Sequence, residues 1–135
     1  MDRIDKILNH DLFLYHLGKN NAAEADRRFC RHSMVHFLDV ARIGTIIALE
    51  EGLELDREWI YAAALLHDCG KHEQYENGTP HEQASARIAP EILKDCGFDD
   101  KETDVIVTAI SRHRDPEAAK EKNLNGVLYR ADKAS

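Results

Sequence analysis

The chain has 135 residues, 43% apolar and 32% charged, with a formal net charge of −7, the balance of one globular domain that can bury its own core. That charge argues against a general nucleic-acid binder, which would carry a basic stripe, and no stretch is apolar for long enough to cross a membrane. Cys30, Cys69 and Cys96 form no CxxC pair, and the N-terminus lacks a signal-peptide layout, so free thiols in a reducing, cytoplasmic setting are expected.

Runs of alternating β-branched residues are missing, and the chain reads as an all-α, single-domain bundle of about six to seven helices. The first helix is expected over about 2–17, stopping at Gly18. Its "LFLYHL" stretch could pack on its own domain or against a second subunit. A second helix begins near Ala22 and abuts or merges into a third, about 30–51, for which Gly52 is a C-terminal cap. Asp56 then caps "REWIYAAALLHD", with Leu55 and Ile60 spaced as a hydrophobic staple. Being apolar nearly all round, that helix should lie at the centre and end at Gly70. The segment "GKHEQYENGTP" reads as a loop. "TPHE" (79–82) then offers Thr79 as a cap, Pro80 at the first helical position and Glu82 to complete a capping box. The helix it opens runs to about Asp95, with a kink or break expected at Pro90. Asp99 and Glu102 form a second capping box for a helix to about His113, and "LNGVLYRADKAS" closes the sequence as a last helix.

The apolar stretch "AAALLHDCGK" (62–71) ends on two ionisable groups, His67 and Asp68. Burying either is costly unless it is paired, hydrogen-bonded or bound to metal. Helical rise of about 1.5 Å per residue shows where partners can come from. His36 to Glu51 spans about 22 Å and Asp56 to His67 about 17 Å, so a helical hairpin can bring the two histidines to one end. By the same arithmetic His81 and His113 can meet at the end of a second hairpin, and the loop from His67 to His81 can join the two ends. His36 shares a helical stripe with Val40, Ile43 and Ile47, an inward face, and His32 lies one turn earlier. Asp132 borders the apolar face of Leu124, Val127, Leu128 and Ala131. A mixed nitrogen and oxygen set of this kind suits iron, manganese, zinc or cobalt rather than calcium or magnesium.

These residues resemble a known family. "LLHDCGK" is similar to the signature of the HD-domain superfamily of metal-dependent phosphohydrolases, named for its His–Asp pair. "HFLDVARI" (36–43), "HEQASARIAPEIL" (81–93), "AISRH" (109–113) and "LYRADKAS" (128–135) resemble its remaining elements in order. The resemblance covers residues 30–135 and leaves 1–29 as an N-terminal helical extension. It implies that His36, His67, Asp68 and Asp132 hold a first metal, and that Asp68 bridges to a second one on His81 and His113. Arg114 stands where some two-metal relatives have another histidine, which implies a weak or water-filled second position. Of the two histidines in "RHSMVH", His36 is favoured as the ligand by the Val–Ala that follows it, leaving His32 for the substrate pocket, the surroundings of the ligands or a structural role. The sequence stops three residues after Asp132, so either more chain follows or the metal holds that helix end.

The reaction implied is hydrolysis of a phosphate ester or anhydride by a metal-activated water, with a small phosphorylated substrate such as a nucleotide as partner. Asp68 would orient the water, and Lys71 would stabilise charge on the phosphoryl oxygens. Arg112 and Arg114, beside His113, are further candidates for substrate binding. The rival readings are a di-iron oxygenase on the same ligands and a non-catalytic, metal-stabilised binding or regulatory domain.

Overall fold

Eight α-helices and one 3-10 segment make up the described residues, 1–25 and 33–135, of a computed structural model. His32 and Cys30 lie outside the described residues. The helices are α1 (Asp2–Leu8), α2 (Asp11–Ala23), α3 (Met34–Glu50), α4 (Arg57–Leu66), α5 (Lys71–Asn77), α6 (His81–Asp95), α7 (Asp100–Ser111) and α8 (Leu124–Ala134), with the 3-10 segment at Pro116–Lys120. No strand occurs among the described residues, as the lack of alternating patterns led one to expect.

Helices α3 and α4 form the first expected hairpin. Gly52, at φ +68°, takes the left-handed conformation that lets the chain reverse. The Asp56 carboxylate accepts the Glu58 amide at 2.8 Å and opens α4. Residues Ala62 to Leu66 are all buried, and α4 touches α1, α3, α6, α7 and α8, which places it at the centre of the bundle. Helices α6 and α7 form the second hairpin, opened at α7 by the reciprocal Asp99–Glu102 capping box. Helix α8 lies across α3 and α7, started by Asn123, whose side chain accepts from the Gly126 amide.

Several boundaries differ from the sequence reading. The chain breaks at Asn9–His10, where His10 Nδ1 accepts the Leu12 amide and starts a new helix that runs through Gly18. "LFLYHL" packs on its own bundle through Phe13 and His16, while Leu14 and Tyr15 face outward. Helix α4 ends at Leu66, and turns carry the chain through 67–70. The expected loop contains helix α5, stopped by Gly78. Thr79 does not cap: its hydroxyl and amide both bond to Asn77 Oδ1, and α6 begins at His81 without a side-chain cap. Helix α6 passes unbroken through Pro90, because buried residues on both sides of it, Ile88 and Ala89 then Ile92 and Leu93, hold the two halves in the core. One close approach matters below: a Cβ on Gly70 would lie 2.6 Å from the Ala84 Cβ and 2.7 Å from the Ser85 nitrogen, so α6 presses directly on that turn.

Candidate metal centre

The two hairpins and α8 bring six side chains to one end of the bundle. His36 comes from the first turn of α3, and His67 caps the C-terminus of α4 with Asp68 next in the turn. His81 opens α6, His113 follows the end of α7, and Asp132 comes from α8. Asp68, 2% exposed, is the common member. Its Oδ2 lies 3.1 Å from His67 Nε2 and 3.6 Å from His36 Nε2. Its Oδ1 lies 3.4 Å from both His81 Nε2 and His113 Nε2. Asp132 Oδ1 closes the first set at 3.2 Å from His36 Nε2 and 3.5 Å from His67 Nε2.

The outer nitrogens of the four rings are all held. His67 Nδ1 donates to the Ala64 carbonyl at 2.6 Å, and His113 Nδ1 to the Ile110 carbonyl at 2.7 Å. A carbonyl only accepts, so each of these rings carries a proton on Nδ1 and turns its Nε2 inward. His81 Nδ1 donates to Gln74 Oε1 at 2.8 Å, a shorter contact than the 3.5 Å to Lys71 Nζ. His36 Nδ1 lies 3.3 Å from Ser135 Oγ.

The donors fit a cation. His81 Nε2 and His113 Nε2 stand 3.0 Å apart, so close that two bare lone pairs would repel unless a proton or a metal ion lay between them. His67 Nε2 is buried and has no hydrogen-bond partner of proper geometry among the described residues, a costly state for a polar atom. Two groups, His36–His67–Asp68–Asp132 and Asp68–His81–His113, have ligand atoms that lie within 4.8 Å of one another and could each hold a metal ion.

Electrostatics point the same way. The Asp132 and Asp68 carboxylates push His36 up to about 9. Complete burial pulls His67 downward, yet Asp68 and Asp132 outweigh it and push the ring up to about 10. Burial would raise Asp68, but His67, His113 and His36 hold its carboxyl well below the usual range. Asp132 is likewise held low against its burial by His36 and His67. In the metal-free cluster, protons on two imidazoles thus supply the positive charge that a metal would bring.

Above the centre opens a cavity of about 600 Å³, with Lys71, Arg114, Lys133, Tyr129 and Pro116 on its walls. Lys71 and Arg114, both expected to contact substrate, thus line this cavity. Arg112 does not line the cavity: it is turned to Asp115, at 3.0 Å, and to Glu121. Sequence reading missed Tyr129 and Lys133, although both sit within one turn of Asp132 on α8. It also missed Gln74, for which a segment taken as a loop gave no signal.

Comparison with known proteins agrees with this architecture. The family model described as "HD domain" matches residues 34–135. An uncharacterised protein of Clostridium beijerinckii is 48% identical over all 135 residues, which span 84% of its length. A crystal structure of a predicted HD superfamily hydrolase from an uncultured Thermotogales bacterium superposes with a TM-score of 0.68 at 27% identity, covering 89% of this chain and 66% of that one. The chain belongs to the HD domain family.

Proposed function

We propose that this protein hydrolyses an ester or anhydride bond of a small phosphorylated metabolite, with nucleotides as the broadest substrate class. The cofactor is one or two divalent ions of iron, manganese, zinc or cobalt. The observation that carries this reading is Asp68, whose two oxygens face two separate histidine sets at the floor of a cavity walled by Lys71, Arg114 and Lys133. His36, His67, Asp68 and Asp132 would hold the first ion, and Asp68, His81 and His113 the second. When bound, such a metal supplies Lewis-acid chemistry, polarising phosphoryl oxygens and bringing the pKa of water close to neutrality.

The chain's own groups divide the remaining work. Lys71, Arg114 and Lys133 draw the phosphate into an otherwise acidic molecule and offset charge that builds on its non-bridging oxygens. Asp68, fixed by surrounding imidazoles, orients the attacking water through a lone pair. Gln74 holds the His81 ring in one tautomer, which keeps its Nε2 aimed at the centre. The likeness to the Thermotogales protein, a predicted HD superfamily hydrolase, supports the same class of reaction.

The test is metal analysis of the purified protein, with a screen of nucleotides and simple phosphate esters repeated on Asp68→Ala. We expect bound transition metal and a loss of turnover of about a thousandfold or more in the variant, equivalent to about 4 kcal/mol. Unchanged activity in Asp68→Ala would overturn the assignment. Iron-dependent turnover that requires oxygen, without phosphate release, would replace it with an oxygenase.

A further inference from the structure

Helix α2 lies outside the segment matched by the family model, yet it reaches the turn that carries the His–Asp pair. Asn20, on its inner face, is 0% exposed. Its Nδ2 donates to the Asp68 carbonyl at 3.0 Å, and its Oδ1 accepts the His72 amide at 2.9 Å. Only one orientation of the amide satisfies both contacts, because one partner purely accepts and the other purely donates. The Asp68 carbonyl also receives the Lys71 amide at 3.0 Å, so Asn20 adds the second bond to a carbonyl already engaged in the turn.

The second contact matters equally. Helix α5 has Gly70 at its N-cap with no side-chain cap, and its early amides need an acceptor from elsewhere. Asn20 provides one from a different helix. Neighbours on the same face of α2 extend the contact: His16 Nδ1 meets His72 Nε2 at 2.8 Å with the ring planes 20° apart, and Lys19 pairs with Glu76 at 3.2 Å. Helix α5 in turn carries Lys71 into the cavity and Gln74 onto His81.

We infer that Asn20 is a positioning residue of the metal centre: a buried amide on α2 fixes both Asp68 and the start of α5, so the N-terminal helices are part of the site. The inference rests on the metal-centre reading, and the wild-type protein tests that reading separately. The probe is cobalt(II), titrated into metal-stripped full-length protein while its visible absorption bands report ligand geometry. Asn20→Ala is compared with Phe13→Leu, a core substitution on the same helix that touches none of these bonds, at matched thermal stability. Asn20→Ser, which leaves a hydroxyl at the position, is read in the same way where the alanine variant does not fold.

Wild-type protein and Phe13→Leu should bind cobalt alike. The Asn20 variant should bind it about ten- to a hundredfold more weakly, with altered absorption bands, and its His72 amide should exchange hydrogen at least about tenfold faster. Cobalt affinity and bands equal to wild type in the Asn20 variant would overturn the inference alone. Failure of the wild-type protein to take up cobalt would overturn the metal centre and the inference with it.

Discussion

The two sides of Asp68 differ in charge balance. On one side, His36 and His67 share Asp132 and Asp68 Oδ2, two acids for two imidazoles. On the other, His81 and His113 share Asp68 Oδ1 as their one carboxylate oxygen among the described residues. There burial lowers His81 to about 3, and His113, Lys71 and Arg114 add to the fall against the pull of Asp68. One side therefore attracts any cation, proton or metal, whereas on the other the buried His81 ring resists taking a proton beside Lys71 and Arg114. Ligand count alone would have hidden that contrast; the number of carboxylate oxygens per imidazole exposes it.

The contrast can be broken most sharply by removing one ligand from each side. Asp132→Ala should weaken the tighter ion by more than about a hundredfold, beyond the usual effect of an outer contact. His113→Ala should remove the weaker ion and leave the tighter one, lowering the bound stoichiometry without moving its affinity. Calorimetric titration with metal would read both, and equal losses in the two variants would erase the distinction.

A smaller effect concerns pH. His36 and His67 have raised values of about 9 and about 10 in the metal-free fold, against 6.5 for the ordinary group. Their contribution to metal-free stability is thus complete below pH 6.5 and is lost as pH rises through 9 to 10. Metal must displace these protons, so affinity on this side should climb between pH 6.5 and 9 by up to about tenfold per unit for each proton released. Titration at neutral pH in buffers of different ionisation heat would count the protons. Zero release would mean that the carboxylates do not charge these rings.

The smallest effect is expected at Arg112. Its ion pairs with Asp115 and Glu121 are partly exposed, and such pairs contribute about 1 kcal/mol or less. Arg112→Ala should lower thermal stability slightly and leave turnover within about twofold. Arg114→Ala, facing the cavity, should raise KM instead. Comparable KM changes in the two variants would show that the wall of the cavity has been misdrawn.

Much of this was legible because helices are rulers. A fixed rise per residue and two short reversals suffice to place His36 opposite His67 and His81 opposite His113, and the structure has both juxtapositions. The all-apolar stretch at 62–66 likewise announced the central helix. Helix α5 was not legible, since seven mostly polar residues carry no apolar period and are held by Asn20 and His16 from far away in sequence. The break at Asn9–His10 was hidden for a related reason: it depends on which ring nitrogen of His10 meets the Leu12 amide. Side chains that act through a second residue, such as Gln74 on His81, leave no spacing to read.

Gly70 carries a consequence for the reach of the whole centre. Its amide bonds to Ser85 Oγ at 2.9 Å, and the α6 backbone sits where a methyl group would have to be. A single hydrogen atom is therefore the shim between the turn bearing Asp68 and the helix bearing His81. Any bulkier substituent would drive a wedge between the two ligand sets, widening the gap across which one carboxylate has to reach.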